Sequence, residues 1–409
     1  MLMKKWIIPL AIFLLALAVR VPGLGGFVTF DESRWLNRSR WFVTGLLFPS
    51  QECPPVVWGR QFATTGPACT LQIGYPGVTT MWAGSLGLLT HYWQTSSATG
   101  QDLWTFLQSL PIYKLDPAMI PPVRLPLAVA GALFVSCFYL LLQRLFDWRI
   151  ALVATLLVAL HPFHIALSRL LHHDALTATF MTLSLLALVG YWLHGWRGYW
   201  LPLSAVLGGL ALLSKQTSWF LPLFVAVMAV STWTYRRNAQ QSRRTGSLAA
   251  KLAAEGTLWA LLAALTFVAL FPAMWVNPIQ VAEVIFNAST GLAEEGHTHY
   301  FLGEVTKDPG PFFYPIGWLL RATPPEVLGL VGITLAAGWQ VMRQRSVKKQ
   351  LLAQPVAVVL VLFVVLLWVF VSISNKKLVR YYLPAFPIID VFAAAGLLWL
   401  LDRLFALFQ

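Results

Sequence analysis

The stretch "WIIPLAIFLLALAVRVPGLGGFVTFDESRW" (6–35) decides how the rest of the chain is read. Residues 6–22 are an apolar run of the length a helix needs to cross about 30 Å of hydrocarbon. The run passes into "TFDESRW" (29–35), where Asp31 and Glu32 stand side by side in a chain that otherwise avoids charge. Pro22-Gly23 is followed by no small-residue cleavage pattern, so the run reads as a retained span and not as a removed signal. The pattern repeats. Of the 409 residues, 58% are hydrophobic and 11% charged, and the mean hydropathy is +0.68. These values place the chain among integral membrane proteins. Further apolar runs at 122–143, 150–163, 175–193, 199–213, 217–235, 256–274, 325–342, 352–373 and 383–401 make about ten transmembrane helices, two of them short. The expected fold class is an all-α polytopic membrane protein.

The basic residues give an orientation, because cytoplasmic connections are enriched in Lys and Arg. With the N-terminus inside, the inner connections hold Lys4, Lys5, Arg144, Arg149, Arg197, Arg236, Arg237, Arg243, Arg244, Lys251, Arg343, Arg345, Lys348, Lys349 and Arg403. Against them stand Asp147, Glu255 and Asp402. Nearly all of the net charge of +13 is thereby explained by membrane topology, and no nucleic-acid partner is implied. The C-terminus also falls inside, and the chain reads as one membrane domain, 1–409, with no soluble domain after the last span.

Two connections on the outer side are long, about 23–121 and 275–324. Loops of that length in a compact protein are functional or disordered, and these are rich in Trp, Tyr, Phe and Pro, unlike disordered tracts. "ESRWLNRSRWF" (32–42) alternates cationic and aromatic residues as an interfacial helix does. "GVTTMWAGSLGLLTHYW" (77–93) reads as a second helix on or dipping into the membrane. A full crossing there would put Arg236 to Lys251 outside, which the charge pattern opposes.

Polar residues at the span ends gather on the outer face: Asp31 and Glu32, "HPFHIALSRLLHHD" (161–174), "SKQTS" (214–218), "AEEGHTHYFLGE" (293–304) and "SNKKLVRYY" (374–382). Lys376, Lys377 and Arg380 break the charge rule there, which suggests an anionic ligand. Each residue also has a plainer reading. Asp31 could cap a helix beginning near Ser33, and Asp174 could cap the following span. Lys215 could reach to the membrane surface. His161, His164, His172 and His173 could be interfacial polar groups, since no pair has a metal-binding spacing. His297 and His299 can face one ion from one strand face, which leaves a divalent metal open and no cofactor required. Taken together the residues suit a lipid-linked phosphodiester. Arginine grips phosphate oxygens as a fork, lysine supplies a point charge, and a carboxylate deprotonates an acceptor.

"FDE" after the first span, "LSRLLHHDALTATF" (167–180), "GLALLSKQTSWFLPL" (209–223) and "KKLVRYYLPAFP" (376–387) occur in the order seen in one family. The chain resembles the GT-C glycosyltransferases of family 39, related to protein O-mannosyltransferases and lipid A aminoarabinose transferases. The segment "HTHYFLGEVTKDPGPFFYPIGWLLRATPP" (297–325) is similar to a long extracytoplasmic stretch of bacterial members. The resemblance implies a membrane hexosyl- or pentosyltransferase. It would move a glycosyl group from a polyprenyl-phosphate sugar to a lipid, glycan or protein acceptor on the extracytoplasmic face of the plasma (inner) membrane. By motif, Asp31 matches the catalytic aspartate, Glu32 its acidic neighbour, Asp174 the acid of the second outer loop, Arg380 the phosphate-binding arginine and Lys215 a commonly seen lysine. Lys215, and Lys377 from the charge pattern, are expected as further donor-phosphate ligands. Where relatives carry His-Pro-Pro or Lys-Pro-Pro late in the first loop, this chain reads "IGYPGVTT" (73–80).

The alternative class is a transporter, flippase or non-catalytic binder of lipid-linked sugars. Such a protein would place its site near the bilayer midplane and often carry internal repeats. No convincing repeat is seen, and the charges lie at the surface. Cys53 and Cys69 share the first outer loop, an oxidising compartment in this topology, and are expected to form a disulfide. Cys137 lies within a span and stays reduced.

Overall fold

Each of the ten apolar runs contributes helix, some of them with a break, in the computed structural model, which describes residues 2–54, 65–74, 76–111, 116–240, 245–295, 297–344 and 354–408. The connection residues Arg243, Arg244, Arg345, Lys348 and Lys349, and Tyr75 of "IGYPGVTT", lie outside the described residues. The helices are α1 (Leu2–Ala18), α2 (Phe30–Leu47), α3 (Val78–Thr99), α4 (Leu103–Ser109), α5 (Ile120–Leu145), α6 (Trp148–Leu160), α7 (Pro162–Ser168), α8 (Asp174–Leu193) and α9 (Trp200–Ser214). They continue as α10 (Phe220–Gln240), α11 (Thr245–Leu270), α12 (Ala273–Val276), α13 (Pro278–Glu295), α14 (Phe313–Leu319), α15 (Pro324–Gln344), α16 (Pro355–Ser372) and α17 (Phe386–Ala406).

Among the described residues seven helices are long and apolar enough to cross a membrane: Pro117–Leu145, Asp174–Leu193, Gln216–Asn238, Gly246–Leu270, Pro324–Arg343, Pro355–Ser372 and Val379–Ala406. The pair α6 and α7, bent by 63°, makes an eighth if it is one span. The other two expected spans, Trp6–Ala18 and Trp200–Ser214, are shorter apolar helices. The run at 150–163 therefore differs from expectation: it breaks at His161. Pro162 has no N–H to continue the helix and restarts one at its first position. The freed amides of Phe163 and His164 donate to His161 Nδ1 at 3.1 and 3.4 Å.

The first long connection packs as a helical layer. α2, α3 and α4 share an apolar cluster with the start of α5 and with α12 and α13, through Trp35, Phe42, Met81, Leu88, Phe106 and Val281. On α2 the alternating sequence sets Arg34 over the Phe30 ring at 4.4 Å and Arg38 over Trp35 at 4.5 Å, so each cation shields an aromatic face. α3 is longer than the expected 77–93 and does not reach the apolarity of a spanning helix. Cys53 and Cys69 are bridged and Cys137 is free. The second long connection carries α12, α13, α14 and an antiparallel hairpin, β1 (His299–Phe301) with β2 (Glu304–Thr306). Those short strands are the departure from an all-α fold among the described residues.

The larger apolar core is built around α8, which is buried along most of its length against α5, α9 and the segment leading into α17. α15 and α17 cross so closely that a Cβ on Gly396 would lie 1.8 Å from the Gly329 carbonyl oxygen, which only glycine permits. This packing holds the 3₁₀ turn Val379–Ala385, and with it Arg380, beside the start of α8.

Candidate active site

The paired acids separate within the first turn of α2. Thr29 is the N-cap, so Asp31 is not the capping residue. The Thr29 N–H and hydroxyl both donate to Glu32 Oε2, at 2.9 and 3.2 Å. Glu32 also receives Arg124 from α5 as a two-pronged pair, Nε to Oε1 at 2.7 Å and Nη2 to Oε2 at 2.6 Å, and the Leu171 N–H at 3.0 Å. Arg124 in turn donates to the carbonyls of Leu24 and Phe27 at 2.6 and 2.7 Å. Burial pulls the Glu32 carboxyl upward, but the hydrogen bonds from Arg124, Thr29 and Leu171 outweigh it and the net shift is downward. Glu32 is 2% exposed. It ties the first connection, α5 and the segment before α8 together underneath the site.

Asp31 points the other way, with a side chain 35% exposed. Its Oδ2 lies 3.3 Å from Arg380 Nη2 and 3.5 Å from His172 Nε2. Arg380 also approaches Asp174 Oδ2 through Nε at 3.2 Å, and the same oxygen lies 2.8 Å from His172 Nδ1. The Lys215 ammonium is paired with Asp174 Oδ1 and sits 3.8 Å from the Tyr381 ring centre. Asp174 opens α8, and its carboxylate takes these cations instead of a capping role. Two carboxylates and two cations thus balance, Asp174 and Lys215 buried and Asp31 and Arg380 at the open mouth. His172 is the largest influence holding Asp31 well below the usual carboxylate range. Burial opposes the shift and Arg380 adds to it. Burial pushes Lys215 down to about 8 against the pull of Asp174.

The chain thus brings Asp31, Asp174, Lys215 and Arg380 from four separate segments into one cluster. Trp35 forms its floor, edge-on to His173 with ring centres 5.0 Å apart. A Cβ on Gly77 would meet that indole at 2.2 Å, so the glycine at the start of α3 makes room for it. Lys377 is not among these contacts: its Nζ pairs with Asp308 Oδ1 at 2.7 Å, after β2. His299 is the first residue of β1, half-buried against the Phe313 ring, while His297 precedes the strand and is exposed. The two therefore do not share a strand face. Among the described residues the grouping with metal-capable spacing is instead His172, His173 and Asp174. Lys215 and Arg380 already supply the positive charge at that carboxylate, so we assign no metal to it.

Sequence reasoning gave no role to Arg124 or His172. The signal for Arg124 was a cation in the first turn of an apolar span, where an unpaired charge is costly. For His172 it was the spacing H-x-D, which sets the imidazole beside Asp174.

Residues 112–275, less than half of the chain, match the profile of the dolichyl-phosphate-mannose-protein mannosyltransferase family. No curated protein matches the chain. Among solved structures it is similar to ArnT from Cupriavidus metallidurans bound to undecaprenyl phosphate, at 18% identity and a TM-score of 0.58, covering 98% of this chain and 60% of that one. It is also similar to the archaeal oligosaccharyltransferase AglB from Archaeoglobus fulgidus in complex with an inhibitory peptide and a dolichol-phosphate. There the identity is 13% and the TM-score 0.54, over 98% of this chain and 51% of that one. The chain spans about half to three fifths of these proteins. The chain thus shares the fold of these two proteins, and part of it matches the mannosyltransferase profile.

Proposed function

We propose that the protein is a membrane glycosyltransferase that moves a hexosyl or pentosyl group from a polyprenyl-phosphate sugar to a lipid, glycan or protein acceptor on the extracytoplasmic side. The observation that carries this reading is the placement of Asp31. Its nearest approaches to His172 and Arg380 are through Oδ2, and among the described residues no hydrogen bond to Oδ1 is made. A third-exposed carboxylate with one oxygen outside any hydrogen bond among the described residues, next to a guanidinium at the same mouth, matches a base beside a phosphate clamp.

In this reading Arg380 and Lys215 hold the donor phosphate. The apolar groove between α10 and α11, about 500 Å³, begins at Pro222 a few residues beyond Lys215 and suits a polyprenyl tail. The acceptor hydroxyl or amine attacks the anomeric carbon, giving its proton to Asp31 Oδ1. As the new bond forms, the bond from that carbon to the phosphate oxygen breaks, and its electron pair leaves on the polyprenyl phosphate. Arg380 neutralises that charge. Without donor the cluster is electroneutral, so an arriving phosphate draws Arg380 from Asp31 and restores the basicity that Arg380 suppresses. Glu32 and Arg124 position the base and do not touch substrate. The termini face the cytoplasm of the plasma (inner) membrane.

The test is to incubate the purified protein with a panel of polyprenyl-phosphate sugars and membrane extract. We expect one extract component to gain the mass of one glycosyl unit as free polyprenyl phosphate is released. Donor binding without transfer across the whole panel would overturn the reading.

A further inference from the structure

The segment before α8 places the His172 imidazole between the two carboxylates of the cluster, with one ring nitrogen near each of them. Nδ1 lies 2.8 Å from Asp174 Oδ2 and Nε2 lies 3.5 Å from Asp31 Oδ2. The ring has little freedom to do otherwise. It stacks on His173 with centres 4.2 Å apart, stands edge-on to Trp35 at 6.2 Å and is 4% exposed. Its backbone N–H is held by the Leu170 carbonyl at 2.7 Å, and the neighbouring Leu171 N–H by Glu32. Asp174, at the other end, is fixed by Lys215.

We propose that His172 is a positioning residue of the transferase, a rigid spacer that carries the fixed geometry of Asp174 across to Asp31 and so aims the free Oδ1 at the acceptor. The inference rests on the transferase reading above. Arg380 alone cannot do this, because it is also the cation that the donor phosphate attracts. When Arg380 turns to the phosphate, Asp31 loses one of its two partners, and His172 keeps the carboxylate from rotating away. Loss of His172 also makes Asp31 more basic, since its contact is the largest influence lowering that group. Misalignment of a reacting group by about 1 Å costs about 10²-fold, which outweighs that gain.

The experiment compares His172→Ala, His172→Asn and His172→Gln with the native protein. It measures turnover and donor KM, using the glycosyl donor that the panel identifies, and checks folding by melting temperature and elution profile. An asparagine amide occupies the place of Nδ1 and preserves the Asp174 contact. A glutamine amide reaches the place of Nε2 and preserves the Asp31 contact. We expect His172→Ala to lose about 10- to 100-fold in turnover with donor KM nearly unchanged. We expect His172→Gln to recover most of that loss and His172→Asn little of it. Equal activity of the Gln and Asn variants, or full turnover in His172→Ala, would overturn the proposal while native transfer leaves the transferase reading intact. A native protein that transfers nothing would sink both.

Discussion

Asp31 and Glu32 are neighbours on one helix, chemically alike, and they end in opposite environments. Glu32 is sealed and saturated. Arg124, Thr29 and Leu171 together use both its oxygens, leaving nothing for a substrate. Asp31 is a third exposed, and among the described residues its hydrogen bond, from Arg380, engages Oδ2 and leaves Oδ1 without one. A buried carboxylate whose acceptors are all filled holds structure in place. One that keeps an unfilled oxygen at an open mouth has the capacity to take a proton. Adjacent positions on a helix lie about 100° apart, so a membrane-edge helix can direct one acid inward and the other toward ligand.

Removing Glu32 should produce the largest change. Breaking one partner from a buried ion pair costs about 3–5 kcal/mol because the other charge stays buried and unpaired. Glu32→Ala should therefore lower the thermal midpoint and the yield of folded protein, and Arg124→Ala should behave alike. A well-folded but inactive Glu32→Ala would erase the contrast and make Glu32 part of the chemistry.

Asp31→Asn tests the other half. Asparagine keeps the shape and an oxygen but cannot accept the proton, so turnover should fall by about 10² to 10⁴, the usual share of general-base catalysis. The melting temperature should move little, since Asp31 is not the helix cap. Full activity in Asp31→Asn would move the search for a base to Asp174.

A smaller effect separates the guanidinium from a bare charge. Arg380→Lys keeps the cation but cannot span Asp31 and Asp174, as the native residue does at 3.3 and 3.2 Å. Donor affinity should weaken several-fold, and further in Arg380→Ala. Two influences hold Asp31 low, His172 first and Arg380 after it. In Arg380→Ala the Asp31 carboxyl therefore rises toward its ordinary value, and the acid limb of the pH profile moves to higher pH. An unmoved limb with unchanged affinity would detach Arg380 from both roles.

The helices were legible because apolar length is a one-dimensional signal: seven of the ten runs fall on helices long and apolar enough to cross a membrane, and an eighth is broken at His161. Even "ESRWLNRSRWF" became most of α2, since its cations and rings pair locally. The break at His161 was written in the sequence as Pro162, inside a run otherwise read straight through. Partner assignments were harder, because they depend on which segments meet. Arg124 lies 92 residues from Glu32, and no local pattern announces that pairing. The same holds within the spans. Glu326 is 3.5 Å from His161, and Arg20, fully buried, donates to Ser168 at 2.8 Å. Each was visible as a charge in or beside an apolar run, but its partner was not.

The smallest predicted effect concerns Lys377, which the sequence placed with the phosphate ligands and the structure pairs with Asp308. The lysine side chain is 3% exposed and the aspartate 62%, so the bond joins the buried segment before Arg380 to the open hairpin connection. With the aspartate itself in solvent, the charge part of this pair contributes about 0–1 kcal/mol. Asparagine at 308 retains an oxygen for the Lys377 ammonium and for the Gly310 N–H, which Asp308 Oδ1 accepts at 3.0 Å. Asp308→Asn should then change stability by less than about 1 kcal/mol and leave donor affinity untouched. A phosphate-binding Lys377 predicts otherwise. Losing the competing carboxylate would free its charge for the donor and tighten binding, and the gain would shrink as salt is raised, because screening weakens exposed charge interactions. Titration of Asp308→Asn with a polyprenyl phosphate at two salt concentrations separates the outcomes. Unchanged affinity leaves Lys377 as a tether for the hairpin connection, while salt-sensitive tightening would extend the open cluster to the residue that now lies outside it.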